Sequence, residues 1–142
     1  MSIVGITIKE IKGEVKKPII GKVKIEHNPK IEDVKETKII NSLLEKEIKI
    51  SALNIKYSFM IRYIQNNNEV ALLSMNGDIL YATKDEKEAR DLEKNWKKEG
   101  NLKGKEVEIL NAIIKRGIPK FMYLTEVLSL PPILQIPRFI KR

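Results

Sequence analysis

The sequence contains no cysteine and a single histidine, His27. No disulfide, thiolate metal site or cysteine nucleophile is therefore available to it. One imidazole is too few for a zinc site or a serine–histidine triad within one chain. Aromatic residues make up only 6% of the chain, with one tryptophan. No apolar run reaches the roughly 18 residues that mark a membrane-spanning helix, so no membrane insertion is expected. The opening, Met1 to Ile6, has neither a basic region nor an apolar one. No signal peptide is expected, and the protein reads as cytoplasmic. The glycines are isolated and no G-x-x-x-x-G-K loop occurs, so nucleotide binding has no support. These absences remove most metal and nucleophile chemistry and leave binding as the expected class of function.

What remains is 142 residues with 42% hydrophobic and 32% charged side chains, and a net charge of +8. That length is about one domain. No linker or internal repeat divides the chain, so residues 1–142 read as a single domain. Isoleucine, lysine and glutamate are abundant, a bias shared with proteins of hot-living organisms, where dense surface ion pairs help most. The basic residues are mostly lysines, interleaved with glutamate and aspartate. That pattern points to a solvated surface more than to a nucleic-acid site, which favours arginine clusters and exposed aromatics.

The first half has the period of strands. Val4, Ile6 and Ile8 alternate with polar residues, and the phase slips at Glu10 so that Ile11, Gly13 and Val15 take over. One slipped residue in an alternating run predicts a bulge. Pro18 and Gly21 interrupt the pattern before Val23 and Ile25. Asn28-Pro29 reads as a turn, and residues 31–39 as an exposed or edge strand. The strongest signal runs from Ile48 to Ile64, with Ile55, Tyr57, Phe59, Ile61 and Tyr63 on one face. Asn66-Asn67-Asn68 predicts a hairpin turn, followed by a strand from Glu69 to Ser74. Asn76-Gly77-Asp78 reads as another turn before Ile79–Ala82. This gives about four antiparallel strands.

The second half has helical spacing. Thr83 with Glu86 fits a capping box, the stripe is Ala89, Leu92 and Trp96, and Gly100-Asn101 ends the helix. A longer helix is expected from about Lys105 to Leu128, with Pro119 as a candidate kink. Its stripe of Val107, Leu110, Ile114, Phe121, Leu124 and Leu128 is broadened by Ile109, Ile113, Ile118, Met122 and Val127. A helix apolar over more than one face needs cover on more than one side. A second subunit is the expected cover, so Val107, Ile109, Leu110, Ile113 and Ile114 form a candidate oligomer interface. The fold class is therefore α+β, a four-stranded antiparallel sheet with a long amphipathic helix packed on it.

No constellation of acid, base and nucleophile appears, and an enzyme is not expected. His27 beside Asn28-Pro29 reads as a surface histidine in a turn. Acidic pairs such as Glu32-Asp33 read as solvated charge rather than as a cation site. Tyr57, Phe59 and Tyr63 would suit a base-stacking platform. That placement and the +8 charge keep a single-stranded nucleic-acid-binding module as the alternative, although a central strand makes a core face the better reading. The tail from Leu130 to Phe139 is apolar, rich in proline and without helix or strand period. Exposed apolar surface of that kind usually marks an interaction site.

In order and spacing, several segments resemble the SecB protein-export chaperone family. They are Ile6-Thr7-Ile8-Lys9-Glu10-Ile11-Lys12-Gly13-Glu14-Val15, Asn28-Pro29-Lys30-Ile31, Glu69-Val70-Ala71-Leu72-Leu73 followed by Asn76-Gly77-Asp78-Ile79-Leu80, and Pro132-Ile133-Leu134-Gln135-Ile136-Pro137-Arg138-Phe139. The resemblance covers nearly the whole chain. It implies an ATP-independent holdase with no cofactor, metal or catalytic residue. It implies a homo-tetramer built as a dimer of dimers, whose partners are unfolded or preprotein polypeptides held in apolar grooves; nucleic acid is not an expected partner. On this resemblance the client contacts fall on Ile19, Ile20, Val23 and Ile25 of the crossover and on Leu134, Ile136 and Phe139 of the tail. Measured against that pattern the sequence stops at Arg142, where the family's last helix begins, so a more open groove is expected. The acidic surface that meets the SecA motor in that family has no counterpart here. A SecB-like fold also serves to control toxin–antitoxin pairs, and the sequence leaves that role open beside a link to export.

Overall fold

A computed structural model of the protein describes residues 3–43, 46–133 and 138–139. Four strands, β1 (Ile3–Val15), β2 (Lys24–Leu43), β3 (Lys46–Gln65) and β4 (Asn68–Ala82), precede two helices, α1 (Glu86–Glu99) and α2 (Glu106–Val127). The strands form one antiparallel sheet in the order β1-β4-β3-β2. The expected α+β architecture is what the chain adopts.

The alternation in β3 places Leu53, Ile55, Tyr57, Phe59, Ile61 and Tyr63 on the buried face, joined by Ala71, Leu73, Met75, Ile79 and Tyr81 of β4. Asn66 and Asn67 both take positive φ, 54° and 63°, which closes the β3–β4 hairpin as a two-residue turn matched to strand twist. The slip in β1 is a register shift between Ile8 and Glu10. A second shift, between Ile31 and Asp33, explains the weak pattern of β2. The extra residue lets Ile31 and Val34, three apart, both reach the core.

Two expected turns are not turns. Asn28-Pro29 lies inside β2, with Pro29 opposite Phe59. β2 is an edge strand, where a residue without an N–H is tolerated. Asn76-Gly77-Asp78 lies inside β4, with Gly77 opposite Ile8 on one side and Tyr57 on the other. Glycine is there because β1 passes too close for a side chain. A Cβ at Gly77 would sit 1.8 Å from the Thr7 carbonyl oxygen. The Tyr57 hydroxyl donates to that same oxygen at 3.0 Å.

The cap of α1 also sits two residues later than the Thr83–Glu86 pattern suggested. Asp85 is the N-cap and accepts from the Glu88 N–H at 2.8 Å, while Glu88 accepts from the Lys84 N–H at 3.0 Å. Thr83 is still part of the sheet edge, its N–H bonded to the Ser51 carbonyl at 3.0 Å. Gly100 ends α1 in the left-handed region, at φ 73°. α2 continues through Pro119 and packs against all four strands. Its buried face is Ile109, Ile113, Ile114, Gly117, Ile118, Phe121 and Thr125. Both of its predicted stripes therefore reach the protomer's own core. Tyr57, Phe59 and Tyr63 lie in that core, at most 1% exposed, and offer no stacking platform.

Candidate functional site

The chain leaves β1 at one edge of the sheet and enters β2 at the other. The crossover between them, residues 16–23, is anchored at both ends. The N–H groups of Lys16 and Lys17 both donate to the Val70 carbonyl, at 2.8 and 3.2 Å. Glu69 takes an ion pair from Lys16 and another from Arg62, the latter at 2.8 Å. The hydrogen bond from Lys16, followed by that from Arg62, holds the Glu69 carboxyl below the usual carboxylate range. At the other end the Gln65 side-chain amide donates to the carbonyls of Ile20 and Lys22. This clamp fixes the backbone of Ile20 while the residue stays 83% exposed.

Beyond the clamp a cleft of about 460 Å³ opens between the start of β2 and the segment after α2. It is lined by Val23, Lys24, Ile25, His27, Pro131, Pro132 and Ile133. α2 ends where the Leu128 and Leu130 N–H groups bond to the carbonyls of Leu124 and Thr125. The chain then crosses Tyr63, whose hydroxyl donates to the Pro131 carbonyl at 2.8 Å. Burial pushes that phenol up to about 12, so it remains a donor across the working pH range. Leu130 and Ile133 are buried beneath this segment, which forms the far wall of the cleft.

The structure thus brings Val23 and Ile25 together with the post-helix segment. Ile19 packs against the core, and Ile20 stands outside the cleft. Leu134 and Ile136 lie outside the described residues. Phe139 does not line the cleft. Its backbone is held by Asn111 of α2, the N–H donating to Oδ1 at 2.8 Å and the carbonyl accepting from Nδ2 at 2.9 Å.

Sequence reasoning marked the tail from Leu130 as an interaction segment but not Pro131, Pro132 and Ile133 as a wall facing Val23 and Ile25, and it misplaced His27. The histidine is not a surface residue in a turn. It lies in β2, half-buried, and its Nε2 is buried without a hydrogen-bond partner. Burial lowers its pKa from the ordinary value. A signal was present in the sequence, because Val23, Ile25, His27, Pro29 and Ile31 share one phase. The Asn-Pro pair masked it.

Of the helix residues singled out for an interface, Ile109, Ile113 and Ile114 are buried by their own chain, and Val107 and Leu110 are half-buried. The apolar surface that α2 leaves open is instead Met122, Tyr123 and Val127. On the other side of α2 a second groove of about 490 Å³ runs along β1, with Ile3, Ile6 and Ala112 between Glu108, Lys115 and Arg116. Among the described residues, no three histidine, aspartate or glutamate side chains converge as a metal site would require, and no helix is long and apolar enough to cross a membrane.

No protein-family model matches this sequence, and no curated protein does. The fold does match a solved structure, the SecB-like chaperone Rv1957 of Mycobacterium tuberculosis in complex with a ChAD peptide from the Rv1956 HigA1 antitoxin. The TM-score is 0.50 at 18% sequence identity, over 95% of this chain and 89% of that one. The four-stranded sheet with its two helices is a SecB-like fold.

Proposed function

We propose that this protein is an ATP-independent holdase, a chaperone that holds extended, non-native polypeptide segments and keeps them from aggregating. The observation that carries this reading is the cleft. One wall holds Val23 and Ile25, expected client contacts, and the other is Pro131 to Ile133 at the start of the apolar tail, in a SecB-like fold. A holder of many different chains needs several weak apolar contacts rather than one sharp pocket. Each buried aliphatic side chain contributes roughly 1.5–3 kcal/mol, enough for several together to outweigh the ordering of a flexible client. Lys24 on the rim, with Lys17 and Lys22 nearby in sequence, adds attraction for acidic clients that fades with salt.

The holder is proposed to work as a homo-oligomer, most simply a tetramer built from dimers. Met122, Tyr123 and Val127 of α2, with the half-buried Val107 and Leu110, are the surface offered to a second copy, because Ile109, Ile113 and Ile114 are already covered. Light scattering coupled to size exclusion at micromolar concentration is expected to show an assembly, and a lone 16.4 kDa species would contradict this part of the proposal. Control of a toxin–antitoxin pair is a second reading. It is favoured by one observation, that the solved SecB-like neighbour carries an antitoxin peptide.

The test is aggregation of a urea-diluted, chemically unfolded protein, with and without the chain and without ATP. Near-stoichiometric wild type is expected to suppress the light scatter. Replacing Val23 and Ile25 by serine removes two apolar contacts, and client affinity is expected to fall about tenfold per residue. A wild type that leaves aggregation untouched ends the holdase reading. A double variant that folds and holds as well as wild type moves the site elsewhere.

A further inference from the structure

The cleft is apolar except for two side chains, Lys24 at its rim and His27 in its wall. His27 lies opposite Ile61 of β3. On the shared face of the two strands its neighbours are Ile25, Phe59 and Tyr63. Across the cleft it faces Pro131, Pro132 and Ile133 of the post-helix segment. The buried face of α2 at this end is Ile118, Phe121 and Thr125, none of them charged. Besides Lys24 at the rim, the Tyr63 phenol is the titratable group here, and it is committed to the Pro131 carbonyl. On β2 the neighbouring Glu26 pairs with Lys24 at 3.4 Å and with Arg62 at 3.6 Å. Among the described residues, no anion therefore stands ready to receive an imidazolium.

In the neutral ring, Nε2 is buried without a hydrogen-bond partner, whichever nitrogen carries the proton. The second proton makes the ring a cation whose Nε2–H is buried without an acceptor, in apolar surroundings. One side of the cleft can yield and the other cannot. β2 is held by its whole ladder to β3. Among the described residues, Pro131–Ile133 are tied by one side-chain hydrogen bond, from Tyr63, and by the burial of Leu130 and Ile133, with backbone anchors only at Leu130 before them and at Phe139 after them. Pro131 and Pro132 carry no N–H, so they cannot donate to the free edge of β2.

We infer that His27 makes this cleft acid-responsive: protonation of its ring, with Nε2 buried and unpartnered, loosens Pro131–Ile133 from β2 and widens the cleft, regulating the holding proposed above, a reading on which only the functional consequence rests. The sign follows from burial. The closed form holds the proton less well than a free imidazole does, so closure is complete above pH ~6.5 and is lost as pH falls through the lowered value.

The chain has one histidine, so its ring protons can be followed in proton NMR without assignment ambiguity. Across a titration from pH 7.5 to 5, exchange of the Leu130 and Ile133 amides, corrected for intrinsic rate, is expected to rise about tenfold, with the midpoint of the His27 titration. His27→Phe keeps a flat ring that takes no proton, and it is expected to abolish the rise. Tyr63→Phe, a second variant that leaves His27 in place, is expected to raise exchange at both ends and keep the acid response. Exchange that ignores the titration of His27, that slows in acid, or that responds equally in His27→Phe overturns the inference. A client arm separates the two proposals. It measures retention of a reduced, carboxymethylated, permanently unfolded protein at pH 7.5 and 5.5. Retention at neither pH overturns the holdase and leaves the loosened segment standing, whereas equal retention beside a loosened segment overturns the regulation alone.

Discussion

Gly77→Ala is expected to cost about 3–5 kcal/mol and to release β1 from the sheet, because the clash it makes is with backbone rather than with a movable side chain. The added Cβ would lie 1.8 Å from the Thr7 carbonyl oxygen, 2.8 Å from its carbon and 2.9 Å from the Tyr57 hydroxyl. Relief requires β1 to move away, and the hydrogen bond from Tyr57 to Thr7 is then lost. Tyr57 is only 1% exposed, so its hydroxyl has no ready replacement partner. Ile3, Ile6 and Ile8, which pack on the core from β1, would be uncovered in the same step. Gly5→Ala is the matched control in the neighbouring strand. Nothing lies within 4 Å of its would-be Cβ, and a change within about 0.5 kcal/mol is expected. Urea unfolding of the two variants measures both. Equal midpoints would mean that β1 does not pass Gly77 as closely as described.

Gly77 also shows where the sequence stops being legible. Asn-Gly-Asp between two apolar runs is a turn signal by every local rule. What overrides it is the approach of β1, 70 positions earlier in the chain, since Thr7 and Asp78 are register partners. Pro29 was misread for the same reason. Its neighbours look like a turn, and only the strand order, which puts β2 at an edge, makes a proline acceptable inside it. Period and hairpin chemistry depend on near neighbours alone. The face of Ile55 to Tyr63, the Asn66-Asn67 turn and the Gly100 cap were therefore all readable. For the site, the period-two phase of Val23 and Ile25 pointed to one wall of the cleft. The other wall was not readable, because nothing local says that a proline-rich stretch will be tied down by a tyrosine 68 positions earlier. The breadth of α2 was read correctly and its cover was not. A helix lying across all four strands buries part of both stripes in one protomer and leaves Met122 and Val127 open.

Phe121→Ala is the second large effect, and it joins the core to the cleft. Phe121 is fully buried and meets Phe59 edge to face, with centroids 5.1 Å apart and planes at 66°. Emptying such a site costs about 3–5 kcal/mol, of which the aromatic pair itself supplies roughly 0.5–1.5. For a domain whose whole stability is about 5–15 kcal/mol, that is a third or more. The neighbourhood is tight. A Cβ on Gly117, one turn earlier, would already stand 2.8 Å from the Phe59 ring. The rings cannot simply slide together, and a cavity is expected to remain. Thr125, one turn after Phe121, receives the Leu130 N–H at 2.8 Å and so sets where Pro131 to Ile133 begin. A loosened α2 should therefore slacken the cleft wall as well, and client holding should fall even at temperatures where the variant stays folded. Phe121→Leu fills most of the volume and should recover most of both losses. Tyr123→Ala, two residues on, removes a side chain that is 67% exposed. It is expected to leave protomer stability within about 0.5 kcal/mol and to lower the mass seen by light scattering. If Tyr123→Ala unfolds the chain as readily as Phe121→Ala, or leaves the assembly intact, then α2 does not present Tyr123 to a second copy.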